Sequence, residues 1–159
     1  MAGELSDSGF INEMRALFLD FDGVLHRAGN GLEDTGPMLV WLPLLADALS
    51  AYPDVLVVVH STWRYQYSSD EIRKLLAGCL GGQPIAIAPR GPRWEAIRWF
   101  LQMNPAVASY RILDDEPDEF GHPAPDELLV CESALGLTTP GVLSALMRWL
   151  ACSGGVEPV

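Results

Sequence analysis

Short, unbroken hydrophobic runs recur along the chain, and longer stretches with helical spacing of apolar residues lie between them. The clearest run is 55–59 (VLVVV), whose β-branched residues are typical of a strand buried on both faces of a parallel sheet. A second run, 16–19, is followed at once by carboxylates and a glycine. With 85–88, 110–113 and 128–131, these runs predict five short strands.

Four helices are predicted between and after the strands. Pro43 falls in the first turn of the first helix, where proline is tolerated. Ser68 and Glu71 form a capping-box pattern at the start of the second, and Thr139 is expected to cap the fourth. The alternation of strand and helix predicts an α/β fold, with a parallel sheet covered by helices on both faces. The predicted helices are 39–51, 68–76, 93–103 and 139–151.

The chain has 159 residues and a formal net charge of −11, from 10 Lys and Arg against 21 Asp and Glu. Its length fits one domain with a real core. We predict a leader at 1–14, the folded domain at 15–152 and a flexible tail at 153–159. The acidic balance disfavours nucleic acid as a partner, because affinity for phosphate backbones comes from Lys and Arg contacts.

The cysteines and the ends of the chain indicate a cytoplasmic protein. Cys79, Cys131 and Cys152 stand in unrelated contexts, so we expect buried free thiols in a reducing compartment rather than disulfides or zinc. The amino terminus lacks the pattern of a signal peptide. No apolar run approaches the ~18 residues of a membrane span, so no membrane partner is expected.

The first strand ends in Asp20 and Asp22, followed by Gly23. Ligands of open α/β sheets bind at the carboxyl ends of strands, so these acids are expected at a binding edge. Mg²⁺ takes oxygen ligands and is held by one or two carboxylates together with phosphate, which an Asp-x-Asp pair would suit. The same tetrapeptide is also common as a plain turn, because Asp and Gly are both favoured there.

Three later positions carry related chemistry. Ser61 follows the strand 55–59, where its hydroxyl could donate to a phosphoryl oxygen or cap a turn. Arg93 begins the third predicted helix and could neutralise phosphate charge, with Arg90 as a rival for that role. Asp114 and Asp115 end the strand 110–113, and adjacent carboxylates at a strand end are costly without a cation or hydrogen-bond donors.

The strings LFLDFDGVLH (17–26), HSTWR (60–64) and ILDD (112–115), with Arg93 before the last of them, resemble the four motifs of the haloacid dehalogenase-like (HAD) superfamily in their usual order. The resemblance covers about residues 15–150. Together, the three strings are most similar to those of a group of small HAD-domain proteins. It implies a doubly wound, Rossmann-like parallel sheet. Two departures are mild: Arg93 stands where many relatives have Lys, and Ser61 and Thr62 compete for the hydroxyl of the second motif.

The resemblance also implies roles for individual residues. Asp20 would be the nucleophile that accepts the phosphoryl group, and Asp22 the general acid and base. Mg²⁺ would be held by Asp20, the backbone carbonyl of Asp22 and Asp115, with Asp114 either a direct ligand or an outer neighbour. At the substrate phosphate the resemblance implies Arg93 and the hydroxyl of Ser61, with Thr62 as the alternative. Arg64 lies beside these hydroxyls in the sequence and is expected to contact either the substrate or the acidic loop.

About 38 residues separate Asp22 from Ser61, too few for a sizeable cap domain, so we expect an open site. An open site either admits a macromolecular substrate or is closed by a partner subunit. An oligomer is therefore possible. The leading hypothesis is a Mg²⁺-dependent phosphatase acting on a small phosphorylated metabolite or a phosphoprotein. The alternatives are a phospho-acceptor signalling domain and a catalytically inactive HAD-like binding domain.

Overall fold

A computed structural model of the protein describes residues 13–28 and 38–152. Five parallel strands form one sheet in the order β3-β2-β1-β4-β5, as the alternating pattern predicts. The first strand lies at the centre, and the chain winds outward from it in both directions. In chain order the strands are β1 (Met14–Leu19), β2 (Leu56–Val59), β3 (Ile85–Ile87), β4 (Val107–Asp114) and β5 (Leu128–Val130).

Strand β1 is central because it is apolar on both faces. Leu17 pairs with Val57 of β2 on one side and with Arg111 of β4 on the other, and Phe18 follows in the same register. Both residues are fully buried. All five predicted strands are present, although β4 begins at Val107, before the predicted range of 110–113.

Helices cover both faces of the sheet, which confirms the doubly wound, Rossmann-like prediction. Successive side chains of a strand point to opposite faces. Leu17 and Leu19 therefore share one core with the first, second and fourth helices, whereas Ala16 and Phe18 share the other with the third. The helices are α1 (Leu42–Leu49), α2 (Ser69–Leu80), α3 (Arg93–Met103) and α4 (Val142–Ala151), with short 3₁₀ helices at Thr62–Tyr65, Pro117–Phe120 and Gly136–Thr138.

The ends of two helices test the capping predictions. The capping box is confirmed, because Ser68 Oγ accepts from the Glu71 amide at 3.1 Å and Glu71 accepts from the Ser68 amide at 2.9 Å. Helix α2 continues to Leu80, beyond the predicted end near residue 76. The cap predicted at Thr139 is wrong: its hydroxyl donates to the Gly136 carbonyl, and Gly141, with φ of 88°, precedes α4.

The cysteines are only partly as expected. All three are free thiols. Cys131 is buried, and its burial raises the pKa of the thiol to about 12. Cys79 is exposed on α2, so the expectation of a buried thiol is wrong there, because its position on the helix faces away from the sheet.

Two of the predicted chain segments fall largely or wholly outside the described residues. The structure covers only the last two positions of the predicted leader 1–14, and Met14 already belongs to β1. The predicted tail at 153–159 is not covered at all. In the ranges 13–28 and 38–152, none of the helices is both long and apolar enough to cross a membrane.

Arg15 joins the central strand to the last helix. Its Nη1 donates to the carbonyls of Trp149 (3.2 Å), Leu150 (2.9 Å) and Cys152 (3.1 Å) at the carboxyl end of α4. The Trp149 carbonyl also accepts from the Cys152 amide at 3.1 Å. Carbonyls at the end of a helix have few backbone partners, and a cation there also complements the helix dipole. Its guanidinium lies over the Trp149 ring at 5.4 Å, so charge and packing act together.

We predict that Arg15→Leu lowers the free energy of unfolding by about 2–4 kcal/mol, because it leaves buried carbonyls without their charged donor. Urea denaturation followed by tryptophan fluorescence measures the loss. The matched control is Arg148→Leu, an exposed arginine on the same helix, which should change stability by less than about 0.5 kcal/mol. Equal effects of the two substitutions would contradict a special role for Arg15.

Candidate active site

The site lies at the carboxyl edge of the sheet, where three neighbouring strands end. The Asp20 amide donates to the Leu113 carbonyl of β4 at 3.1 Å, and the His60 amide donates to the Leu19 carbonyl of β1 at 3.1 Å. These bonds extend the strand pairing one residue past β1 and β2. They place Asp20, His60 and Asp114 next to one another.

Three carboxylates converge at this edge. Oxygen atoms of Asp20, Asp114 and Asp115 lie within 4.8 Å of one another. Asp20 is only 2% exposed, and its Oδ2 has no hydrogen-bond partner among the residues that the structure describes. Burial, reinforced by the negative charge of Asp114, raises the pKa of Asp20 well above its usual value. A divalent cation would relieve both the repulsion and the missing contact, so the cluster fits a metal ion.

The two acids that follow β4 have different surroundings. Asp114 is fully buried and accepts from His60 Nε2 (2.7 Å), Arg93 Nη1 (2.9 Å) and the Glu116 amide (2.9 Å). Asp115 is half-buried and accepts from the Ser133 hydroxyl at 2.7 Å. Most of the acceptor capacity of Asp114 is therefore used within the protein, whereas Asp115 retains more of it.

His60 is a partner that sequence reasoning missed. It is fully buried, and burial lowers its pKa, which favours the neutral imidazole. Its Nε2 carries the proton donated to Asp114, and its buried Nδ1 has no hydrogen-bond partner within the described ranges. The only signal available was its position directly after β2, which it shares with Ser61.

Of the two rival arginines, the structure brings Arg93 to the acids. Its Nη1 lies 2.9 Å from Asp114, 3.9 Å from Asp20 and 2.7 Å from Glu116. Arg93 begins α3, which places its side chain over the carboxyl edge of the sheet. Arg90 instead lies over the Tyr65 ring, 5.4 Å from its centroid.

Arg64, predicted at the phosphate, is occupied by backbone carbonyls. Its guanidinium donates to the carbonyls of His60 and Ser61 after β2, the latter at 3.0 Å. It also donates to Pro89 at 3.1 Å and Gly91 at 2.7 Å, in the loop between β3 and α3. The Arg64 side chain therefore links the loop after β2 to the loop between β3 and α3, and both loops border the site.

The two hydroxyl residues of the second motif differ in exposure. Ser61 is fully buried, and its Oγ accepts from the Trp63 amide at 3.2 Å, which caps the 3₁₀ helix Thr62–Tyr65. Its O–H can still donate to another acceptor. Thr62 is exposed at the start of the same helix. Both follow β2, the strand beside β1.

Two donors orient the carboxylate of Asp22. His26 Nε2 lies 2.6 Å from one of its oxygens, and Trp63 Nε1 lies 3.2 Å from the other. The Leu39 amide donates to His26 Nδ1 at 3.1 Å, so the imidazole proton is on Nε2 and points to Asp22. The hydrogen bond from His26, aided by that from Trp63, lowers the pKa of Asp22.

Gly23 gives Asp115 room to approach the site. Its φ is 79°, a backbone conformation that favours glycine. A side-chain carbon at Gly23 would overlap the Asp115 carboxylate. The first and last acidic motifs can therefore meet only because residue 23 has no side chain.

We predict that Gly23→Ala weakens Mg²⁺ binding at least about tenfold, because it displaces Asp115 from the acidic cluster. The Mg²⁺-dependent rise in Tm measures binding without requiring catalysis. The control is Gly82→Ala, where an added carbon meets nothing within 4 Å, and its Mg²⁺ response should match that of the wild type. An unchanged Mg²⁺ response in Gly23→Ala would contradict the prediction.

Comparison with known proteins identifies the family. The profile of a family described as "HAD domain in Swiss Army Knife RNA repair proteins" matches residues 16–142, which is most of the chain and includes every acid of the cluster. Searches of curated proteins and of solved structures found no match. The resemblance to HAD proteins is thus confirmed, and the chain belongs to the family of HAD domains in Swiss Army Knife RNA repair proteins.

Proposed function

We propose that the protein is a Mg²⁺-dependent phosphatase that hydrolyses a phosphomonoester through an aspartyl-phosphate on Asp20. Its family supports a phosphohydrolase in general terms. The observation that carries the finer proposal is the buried Asp20 carboxylate beside two further acids: its Oδ2 accepts no hydrogen bond from the residues that the structure describes and has Arg93 at 3.9 Å. A structural carboxylate would have its hydrogen bonds satisfied, whereas a nucleophile must keep one oxygen available.

The acidic cluster is suited to Mg²⁺. Asp20, the backbone carbonyl of Asp22 and Asp115 would hold the ion, because Asp114 is already bound by His60, Arg93 and a backbone amide. Asp114 would then act by keeping Arg93 and His60 in place. When bound, the ion supplies positive charge that lets an anionic phosphate approach a carboxylate.

The covalent steps use Asp20 and Asp22. An oxygen of Asp20 bonds to phosphorus, the bond to the leaving oxygen breaks, and that oxygen takes a proton from Asp22. Asp22 then removes a proton from water, which attacks the aspartyl-phosphate and releases inorganic phosphate. The hydrogen bonds from His26 and Trp63 favour the carboxylate that the second step needs. The negative charge of a nearby phosphate would raise the pKa of Asp22 for the first step.

The phosphate would be positioned from the β2 and α3 sides. The Ser61 hydroxyl can donate to it, and Thr62 is an exposed second donor. The contacts of Arg93 with the acids all use Nη1, so its Nη2 can donate to phosphate. Arg64 would contribute by holding the loops that carry Ser61 and Arg93 rather than by touching the substrate.

The alternatives differ in what Asp22 does. A phospho-acceptor signalling domain needs no base beside the acceptor, yet here two donors hold the Asp22 carboxylate in a fixed orientation. Such a domain also needs a lysine at a strand end, and the single lysine, Lys74, lies within α2. An inactive binding domain would have no need of the full set of acids.

The charges favour a substrate that exposes one phosphate, as a small phosphorylated metabolite or a phosphoprotein does. Four arginines could have formed a basic track for a nucleic-acid strand: Arg27, Arg64, Arg90 and Arg93. The donors of Arg64 are occupied by carbonyls, and the charge of Arg93 is balanced by acids, so two of the four are engaged within the protein and less available to a long phosphate backbone. The family description favours a second candidate substrate, the phosphorylated end of an RNA strand.

We predict that Asp20→Asn reduces hydrolysis of p-nitrophenyl phosphate at least about 1,000-fold, because the amide cannot act as the nucleophile. Wild-type activity should also disappear when EDTA removes Mg²⁺. Asp118→Asn, at an exposed acid in the 3₁₀ helix Pro117–Phe120, is the control and should keep full activity. Turnover by Asp20→Asn at the wild-type rate would exclude Asp20 as the nucleophile.

We predict that Asp22→Asn still forms the aspartyl-phosphate from an activated donor but hydrolyses it at least about 100-fold more slowly, because the base for water is lost. Acid-quenched mass spectrometry after a pulse of donor measures the modified fraction over time. The wild type should show only a transient adduct. A long-lived adduct in the wild type without turnover would favour the signalling domain instead.

A further inference from the structure

A pocket of about 430 Å³ opens beside the catalytic acids, between the loop after β2 and helix α2. Its volume falls within the roughly 300–1,000 Å³ of small-molecule sites. The mechanism above uses only one of its residues, through the indole nitrogen. The pocket is lined by Met38, Trp63, Tyr67, Glu71, Lys74 and Leu75.

Trp63 connects this pocket to the reaction centre. Its Nε1 donates to both oxygens of Asp22, at 3.3 and 3.2 Å, and the same indole forms a wall of the pocket. Asp22 would protonate the leaving oxygen, so this oxygen would lie next to the Asp22 carboxylate, and the rest of the leaving group would extend from there. The pocket is therefore placed to receive the leaving group rather than the phosphate.

The pocket presents an ordered aromatic surface. The rings of Trp63 and Tyr67 have centroids 5.5 Å apart and planes inclined by 36°. Trp63 also packs against Phe21 in a T-shaped arrangement, with ring centroids 5.1 Å apart, and against His26 at 5.6 Å. Tyr67 is 42% exposed, so part of its ring is open to a partner. Aromatic rings of this kind stack on planar ligands, including every nucleobase.

Polar groups of both kinds stand at the rim. Lys74 and Glu71 lie one turn apart on α2, and both line the pocket. The Glu71 carboxylate is fixed by its hydrogen bond from the Ser68 amide at 2.9 Å, and its remaining lone pairs can accept. A donor and an acceptor beside an aromatic surface match the edge of a nucleobase, which offers both.

We propose that this pocket binds the base of a nucleotide whose phosphate is hydrolysed at Asp20. The proposal rests on the proposed phosphatase function and names its substrate class. In a phosphotyrosine the ring is attached directly to the leaving oxygen and would stop at Asp22. Trp63 contacts Asp22 through its indole nitrogen and also lines the pocket, so a base in the pocket needs a spacer from the leaving oxygen, which the sugar of a nucleotide would provide. One nucleotide also needs no track of basic residues, in agreement with the charge of −11.

A free nucleotide and the last nucleotide of a strand present the same base, sugar and phosphate. The experiment compares kcat/KM for 3′- and 5′-AMP, a 3′- or 5′-phosphorylated oligoadenylate, ribose 5-phosphate and a phosphotyrosine peptide, all with Mg²⁺. We expect AMP in one of its two forms to exceed ribose 5-phosphate at least tenfold. Equal rates for AMP and the oligonucleotide identify a single-nucleotide site, and a faster, salt-sensitive oligonucleotide reaction identifies a strand end.

Variants test the pocket directly. Tyr67→Ala should raise KM for the preferred nucleotide about 5- to 100-fold, through lost stacking, and should lower kcat/KM for this nucleotide by a larger factor than kcat/KM for ribose 5-phosphate. Tyr67→Phe should keep the wild-type KM. Trp99→Ala, which removes a half-exposed aromatic residue of α3 far along the chain from the pocket, is the control and should change neither constant.

Binding and turnover separate the two proposals. Titration of the preferred nucleotide into Asp20→Asn protein, followed by calorimetry, reports the pocket without catalysis, and Tyr67→Ala in that background should weaken binding. Phosphatase activity with no preference for AMP over ribose 5-phosphate would overturn the nucleotide proposal and leave the phosphatase standing. Nucleotide binding that depends on Tyr67, without any turnover, would support the pocket and overturn the phosphatase. Preferred turnover of the phosphotyrosine peptide would overturn the pocket in favour of a phosphoprotein.

Discussion

The arrangement of the site depends on a carboxylate at a buried position, where a negative charge is energetically unfavourable. Asp20 ends the central strand, is almost completely buried and faces two more acids. Moving an ionised group out of water costs roughly several kcal/mol in a protein unless partners of opposite charge or hydrogen-bond donors compensate for it. Arg93 provides part of that compensation from 3.9 Å, and a bound cation would provide the rest. The other features of the edge follow from this requirement.

The network around Asp114 serves the same requirement from within the protein. Three donors from three parts of the chain, His60, Arg93 and the Glu116 amide, fix this acid. Its negative charge in turn holds Arg93 near Asp20 despite the limited exposure of the arginine. Asp115, one residue further on, keeps a looser position with Ser133. Two adjacent acids thus have separate tasks, because the side chain of Asp114 is buried among its donors and that of Asp115 lies beside Gly23.

The sequence predicted the parts of the fold that depend on local patterns. Apolar runs located every strand, and acids directly after 16–19 and 110–113 located the site, because parallel strands end at one edge. The contacts of His60 and Arg64 were not predictable, since they join residues from loops whose relative position only the packed sheet determines. The exposed Cys79 and the unused cap at Thr139 have a similar cause: a residue type indicates a tendency, whereas its place on the helix decides the outcome.

Arg64 has a mechanical consequence for the site. One planar guanidinium links the carbonyl of Ser61 to that of Gly91, two residues before Arg93. Arg64 therefore connects the two segments that carry Ser61 and Arg93. These are the hydroxyl and the cation that would contact the phosphate from opposite sides. This link restricts the movement of the two loops relative to each other, so it would keep the distance between these groups constant. The link would in this way help to keep a small anion in place between the two loops.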